Sequence, residues 1–114
     1  MIDYEVTLDV DAAIADDYLA WLHGHVAAML ALPGFSGASL WQVEEPVIGG
    51  RRAWCVRYRL DDAAALARYV SEHAAAMRAE GLARFGDRFH ASRRMLSPLP
   101  DVGGCLHPVT PLSG

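Results

Sequence analysis

Residues 2–10 alternate without interruption: Ile2, Tyr4, Val6, Leu8 and Val10 fall on one side, and Asp3, Glu5, Thr7 and Asp9 on the other. A period of two predicts a strand with one buried face. From Asp11 the period changes. Ile14, Tyr18, Trp21, Leu22, His25 and Met29 follow helical spacing, which predicts an amphipathic helix. Asp11 is placed to cap it, Asp16 and Asp17 sit where the helix dipole favours negative charge, and Pro33-Gly34 ends it.

Phe35 to Val43 reads as a second strand, Glu44 to Gly50 as a loop with Pro46 and Gly49-Gly50, and Arg52 to Leu60 as a third strand. In the third, Trp54, Val56, Tyr58 and Leu60 alternate with Ala53, Cys55, Arg57 and Arg59. Asp61 or Asp62 then caps a second helix with the stripe Leu66, Tyr69, Val70, His73 and Met77, weakened at Gly81 and closed at Gly86. Asp87 to Leu96 is a fourth strand. Beyond Ser97, repeated Pro and Gly forbid regular structure. The domain is therefore expected over residues 1–97, with a Pro/Gly-rich tail over 98–114.

The order β-α-β-β-α-β predicts a ferredoxin-like α+β fold: a four-stranded sheet of order 4-1-3-2 with two helices on one face. The first and third strands are expected as central, parallel neighbours and the other pairs as antiparallel. Shifting the sequence by 48 lays Trp21, Leu22, His25 and Met29 on Tyr69, Val70, His73 and Met77. A fold of two related βαβ halves would leave such an echo; two unrelated amphipathic helices would also produce it.

Composition adds a boundary and an asymmetry. At 114 residues and 53% hydrophobic, the chain is an ordinary single globular domain. Net charge is −4, which argues against nucleic acid as a partner. Residues 1–50 hold eight acidic residues and no basic one, whereas residues 51–114 hold all ten Arg and six acidic residues. An acidic first strand flanked by Arg-rich third and fourth strands accounts for this. Asp3, Glu5 and Asp9 would face Arg57 and Arg59 on one side, and Arg88, Arg93 and Arg94 on the other. The result is either a structural charge ladder or a polar cleft for a charged ligand.

Cys55 and Cys105 form no C-x-x-C pair and read as free thiols of a reducing, cytoplasmic compartment. No signal peptide is expected. The longest apolar run, Val26 to Leu32, is far short of the roughly 20 residues that span a bilayer, so no membrane association is expected. Phosphate loops, nucleophile elbows and metalloprotease motifs are missing. His23-Gly24-His25 cannot chelate one ion from a helix, because its rings point about 200° apart. No metal or cofactor is expected.

One constellation carries candidate chemistry. His25 and His73 both lie on apolar stripes, four residues before Met29 and Met77, with Trp21 and Tyr69 one turn earlier. Each ring is either a core imidazole with one fixed partner or the wall of a pocket between helices and sheet, where it would exchange a proton near neutral pH.

The chain resembles a bacterial family of unknown function, DUF4286. The resemblance covers residues 1–97. It rests on Tyr4-Glu5-Val6, Trp21-Leu22 with His25-Val26, Arg68-Tyr69, and His73-Ala74 through Leu82-Ala83-Arg84-Phe85-Gly86-Asp87-Arg88. That family is in turn similar to the dimeric α/β-barrel superfamily, in which two ferredoxin-like protomers face their sheets together. The resemblance implies a homodimer, and a superfamily containing cofactor-free monooxygenases, small isomerases and haem enzymes. It implies no catalytic residue. Three functions stay open: a small-molecule-binding protein, a cofactor-free monooxygenase or isomerase acting on a small organic substrate, and a structural or regulatory dimer without a pocket. Apolar residues of both parities on the outer strands, Leu40 with Trp41 and Met95 with Leu96, independently suggest a dimer surface.

Overall fold

A computed structural model describes residues 1–44 and 49–99. Pro46, Cys105 and nearly all of the expected tail lie outside the described residues. In chain order the elements are β1 (Ile2–Asp11), α1 (Ala15–Leu30), β2 (Phe35–Gln42), β3 (Arg51–Leu60), α2 (Ala63–Glu72), α3 (Ala74–Phe85) and β4 (Phe89–Leu96). A single 3₁₀ turn, Ala12–Ile14, joins β1 to α1. Asp11 caps that turn by accepting from the Ala13 N–H at 2.9 Å. Asp62 caps α2 by accepting from Ala65 N–H at 2.8 Å.

The strands form one sheet of order β2-β3-β1-β4, which is the expected 4-1-3-2 read from the other edge. The fold is ferredoxin-like α+β. The central pair corrects an expectation: β1 and β3 are antiparallel, as are β1–β4 and β2–β3. The crossover through α1 returns β2 in the direction of β1. The reversal after β2 then sends β3 back into the slot between them, so β3 must oppose both neighbours.

The second helix is also not continuous. It breaks at His73, whose backbone (φ −128°, ψ −28°) leaves the helical region. His73 is at once the C-cap of α2, donating its N–H to the Tyr69 carbonyl, and the N-cap of α3, accepting from Met77 N–H. Among the described residues, three helices, not two, therefore cover the sheet. Val70, assigned to the buried stripe, is 44% exposed.

The covered side of the sheet presents Tyr4, Val6, Leu8 and Val10 of β1 with Val56, Tyr58 and Leu60 of β3, all buried. Tyr18, Leu22 and Met29 of α1 and Leu66 and Tyr69 of α2 complete the core. Gly34 has φ +85°, and a Cβ there would lie 2.5 Å from the Ala65 Cβ. Glycine at this point lets the chain turn from α1 into β2 against the first turn of α2.

The opposite side carries an alternating chain of charge. Arg59 Nε lies 3.6 Å from Asp3, Asp3 accepts from Arg57 at 3.0 Å, Arg57 Nε lies 3.4 Å from Glu5, and Glu5 accepts from Arg94 at 2.6 Å. Asp9 accepts from Arg51 at 2.9 Å, and Asp11 from Arg88. The Arg stems so cover Glu5 that it is 8% exposed, although no helix among the described residues lies above it. Arg93 is the exception to the expected grouping. It pairs across strands with Val6, on the helix-covered side, because neighbouring residues of a strand point to opposite faces.

Candidate functional site

A cavity of about 310 Å³ lies between the covered face of the sheet and helices α1 and α3. The sheet supplies its floor, chiefly Tyr4, Val6 and Tyr58. Trp21 and His25 of α1 form one wall, α3 contributes Arg78 and Gly81, and β4 contributes Phe89 and Arg93. All four tyrosines of the chain, Tyr4, Tyr18, Tyr58 and Tyr69, line it.

The helix periods explain the arrangement. Trp21 and His25 sit one turn apart on α1 and stack, with centroids 4.6 Å apart and planes 21° from parallel. Gly81 makes room for them: a Cβ there would lie 3.1 Å from Trp21 Cη2 and 3.4 Å from Phe89. The helix break at His73 gives α3 a stripe of its own, with Ala74, Gly81 and Phe85 buried and Arg78 at the cavity.

Of the sequence-derived candidates, Trp21, His25 and Tyr69 line the cavity. His73 does not, and this corrects its assignment. The stripe that placed it beside Met77 runs across the α2–α3 break, where a single helical period no longer applies. His25 and His73 thus occupy non-equivalent sites, whereas Trp21 and Tyr69, their partners in the 48-residue echo, share one cavity. The ladder residues Asp3, Glu5, Asp9, Arg57 and Arg59 lie on the other face of the sheet. A second, polar depression of about 400 Å³ includes Asp3, Arg57 and Arg59 together with Ser39 and Trp41. It is larger, but it lacks the ring-lined walls of the first.

Burial governs the protonation of the cavity groups. It lowers the His25 pKa below the ordinary 6.5, opposed by Glu80 and assisted by Arg93, so the ring is neutral at pH 7. Nδ1 of His25 is buried without a hydrogen-bond partner, 4.0 Å from Glu80 Oε2. A carboxylate on that side favours the Nδ1–H tautomer, leaving the other ring nitrogen basic. Burial also raises the phenol pKa values of Tyr18 and Tyr58, and that of Tyr69 to about 12. These hydroxyls therefore stay protonated at neutral pH. Among the described residues only Tyr4 has a side-chain partner for its hydroxyl, accepting from Arg78 Nη2 at 3.2 Å.

Sequence reasoning missed Tyr4, Tyr58, Arg78 and Arg93. The signal for Arg93 was available: it shares parity with Phe89 and Ala91, not with its charged neighbour Arg94. Arg78 needed knowledge of the break at His73. Among the described residues, no group of three or more His, Cys, Asp or Glu converges as a metal site. No helix among them is long and apolar enough to cross a membrane.

Fold and cavity together define a ferredoxin-like α+β domain with a ring-lined pocket under its helices. The chain belongs to the family described as Domain of unknown function (DUF4286), which it matches over residues 1–99. No curated protein matches it. Its fold is similar to that of a presumed antibiotic biosynthesis monooxygenase from Deinococcus radiodurans, with TM-score 0.67, 11% identity, and 87% of this chain and 93% of that one covered. It is similar to a variant of MhuD crystallised with two manganese protoporphyrin IX per active site, with TM-score 0.61, 21% identity, and 91% and 100% coverage. SnoaB from Streptomyces nogalater, a cofactor-independent oxygenase, matches with TM-score 0.54 and 13% identity, over 86% of this chain and 93% of that one. At these identities the likeness is one of fold.

Proposed function

We propose that the protein is a cytoplasmic small-molecule-binding protein whose ligand occupies the cavity between the helices and the sheet. The observation that carries this reading is the cavity itself. Its volume of about 310 Å³ falls in the range of small-molecule sites, which are mostly apolar with a few convergent polar groups. Phenols, an imidazole and aromatic rings around a space of this size suit a flat organic molecule. Similar folds described as binding a porphyrin or acting as an oxygenase are compatible with that use. Native mass spectrometry of protein isolated from its own host tests the reading. A retained organic molecule, lost on introducing Gly81→Leu, is expected. A bare chain that also fails to bind any of a panel of aromatic compounds would refute it.

A second reading, a cofactor-free monooxygenase or isomerase, is favoured by one feature. His25 is neutral, partly buried against Trp21, and held near Glu80. Such a ring can take a proton from an acidic C–H or O–H of a bound substrate, and Glu80 would stabilise the imidazolium formed. If so, His25→Phe retains ligand binding and abolishes exchange of the ligand's acidic proton with deuterated solvent.

The assembly proposed is a homodimer through the helix-free face of the sheet. Trp41 stands 56% exposed on that face, paired across strands with Cys55, and Leu96 shares the face through its pairing with Asp3. Leu40 and Met95, in contrast, point to the helix side, paired with Val56 and Tyr4.

A further inference from the structure

Arginine partners divide the molecule. Arg51, Arg57, Arg59, Arg68, Arg88 and Arg94 each lie within 4.0 Å of a carboxylate. Of the remainder, Arg52 donates to the Arg51 carbonyl, and Arg84 lies over the Phe85 ring at 5.5 Å. The last two, Arg78 and Arg93, have no carboxylate partner among the described residues, and both line the cavity. They approach it from different elements, α3 and β4. Both are exposed, so they stand at its mouth and not in its depth.

Among the described residues, the lining contains no Asp or Glu. Glu80, beside His25, is outside it. The field of Arg93 is felt within the site: it opposes the burial-driven rise in the Tyr18 and Tyr69 pKa values and adds to the burial-driven fall in that of His25. A pocket with two guanidinium groups at its opening, protonated phenols inside and no carboxylate lining it among the described residues favours an anion at its mouth. Arginine forks recognise planar carboxylates in particular.

We propose that the ligand is a planar aromatic carboxylic acid, bound with its ring system beside Trp21, Tyr58 and Phe89 and its carboxylate between Arg78 and Arg93. This rests on the small-molecule-binding reading and adds the charge and orientation of the ligand. The phenols and aromatic rings of the interior face the ring end. The arginines hold the acid end at the mouth.

The test compares two probes of the same shape, 2-naphthoate and 2-naphthalenemethanol, by isothermal titration calorimetry on the intact chain. The acid is expected to bind at least about tenfold more tightly than the alcohol, and the preference should shrink as salt is raised. Arg78→Gln combined with Arg93→Gln should bring the two affinities within about twofold by weakening the acid alone. Unchanged thermal unfolding of the double variant shows that the loss is local. If the alcohol binds as well as the acid, the anion proposal is overturned while the pocket reading stands. If neither binds, both fall together. If the double variant retains the acid preference, the arginines are not the carboxylate site.

Discussion

Val6 and Arg93 are cross-strand partners on the helix-covered side of the sheet, so a guanidinium group starts from the same layer as the core valine beside it. With no carboxylate partner among the described residues, that arginine adds little to folding. Arg93→Val should leave stability within about 0.5 kcal/mol of the wild type or raise it. Urea unfolding with an unchanged slope is the measurement, and a clear loss would mean that Arg93 holds the fold together.

Glu5 behaves differently. It is nearly inaccessible and bridges Arg57 of β3 and Arg94 of β4. Glu5→Gln keeps the shape and removes the charge, and should destabilise the protein by about 1–3 kcal/mol, since hydrogen bonds to charged groups are the stronger kind. Denaturant titration of Glu5→Gln alone, then with Arg94→Gln, checks it. The second change should cost less in the Glu5→Gln background than in the wild type.

His25 makes stability depend on pH. Its folded pKa is lowered chiefly by burial, so the unfolded chain binds the proton more readily. Stability should fall as pH drops through about 6.5, the ordinary value, and level off below the depressed folded value. Thermal unfolding between pH 7.5 and 5.5 should therefore show a larger loss for the wild type than for His25→Phe. Equal losses would place the acid sensitivity elsewhere.

Gly81→Ala separates folding from binding. Alanine gains about 1 kcal/mol of helix propensity over glycine, but its Cβ would crowd Trp21 at 3.1 Å. Net stability should change little, and the displaced indole should reduce cavity volume and ligand affinity. A shifted tryptophan fluorescence maximum together with weaker 2-naphthoate binding is the expected pair of results.

The proposed dimer is tested at Trp41. Sedimentation of the wild type at micromolar concentration should show two chains, and Trp41→Asp should release the monomer without loss of secondary structure. A wild-type monomer would remove the sheet-to-sheet assembly.

The central strands were legible because each has a covered face whose period of two survives in the sequence, as with Tyr4, Val6 and Leu8; on β2 and β4, apolar residues of both parities and Arg93 on the covered side blur it. Their relative direction was not legible from residues, since alternation is indifferent to it; the connections decide it. The helix break was hidden because His73 is neither Gly nor Pro, and Leu66, Tyr69 and Met77 maintain an apparent stripe across it. Half of the histidine pair followed that error. The ladder pairing of Asp3 and Glu5 with Arg57 required only charge and strand order, whereas the arginines at the cavity mouth required parity and the new helix axis.

The position of β1 has a consequence for synthesis. It precedes the other strands of its sheet in the chain, and both of its neighbours come later, from residues 51–60 and 89–96. An emerging chain therefore carries Tyr4, Val6, Leu8 and Val10 with neither edge hydrogen-bonded until most of the domain has left the ribosome. Such a sheet cannot form progressively from β1 onward. It closes late and together, and until then an apolar strand with two open edges is the segment a chaperone would meet.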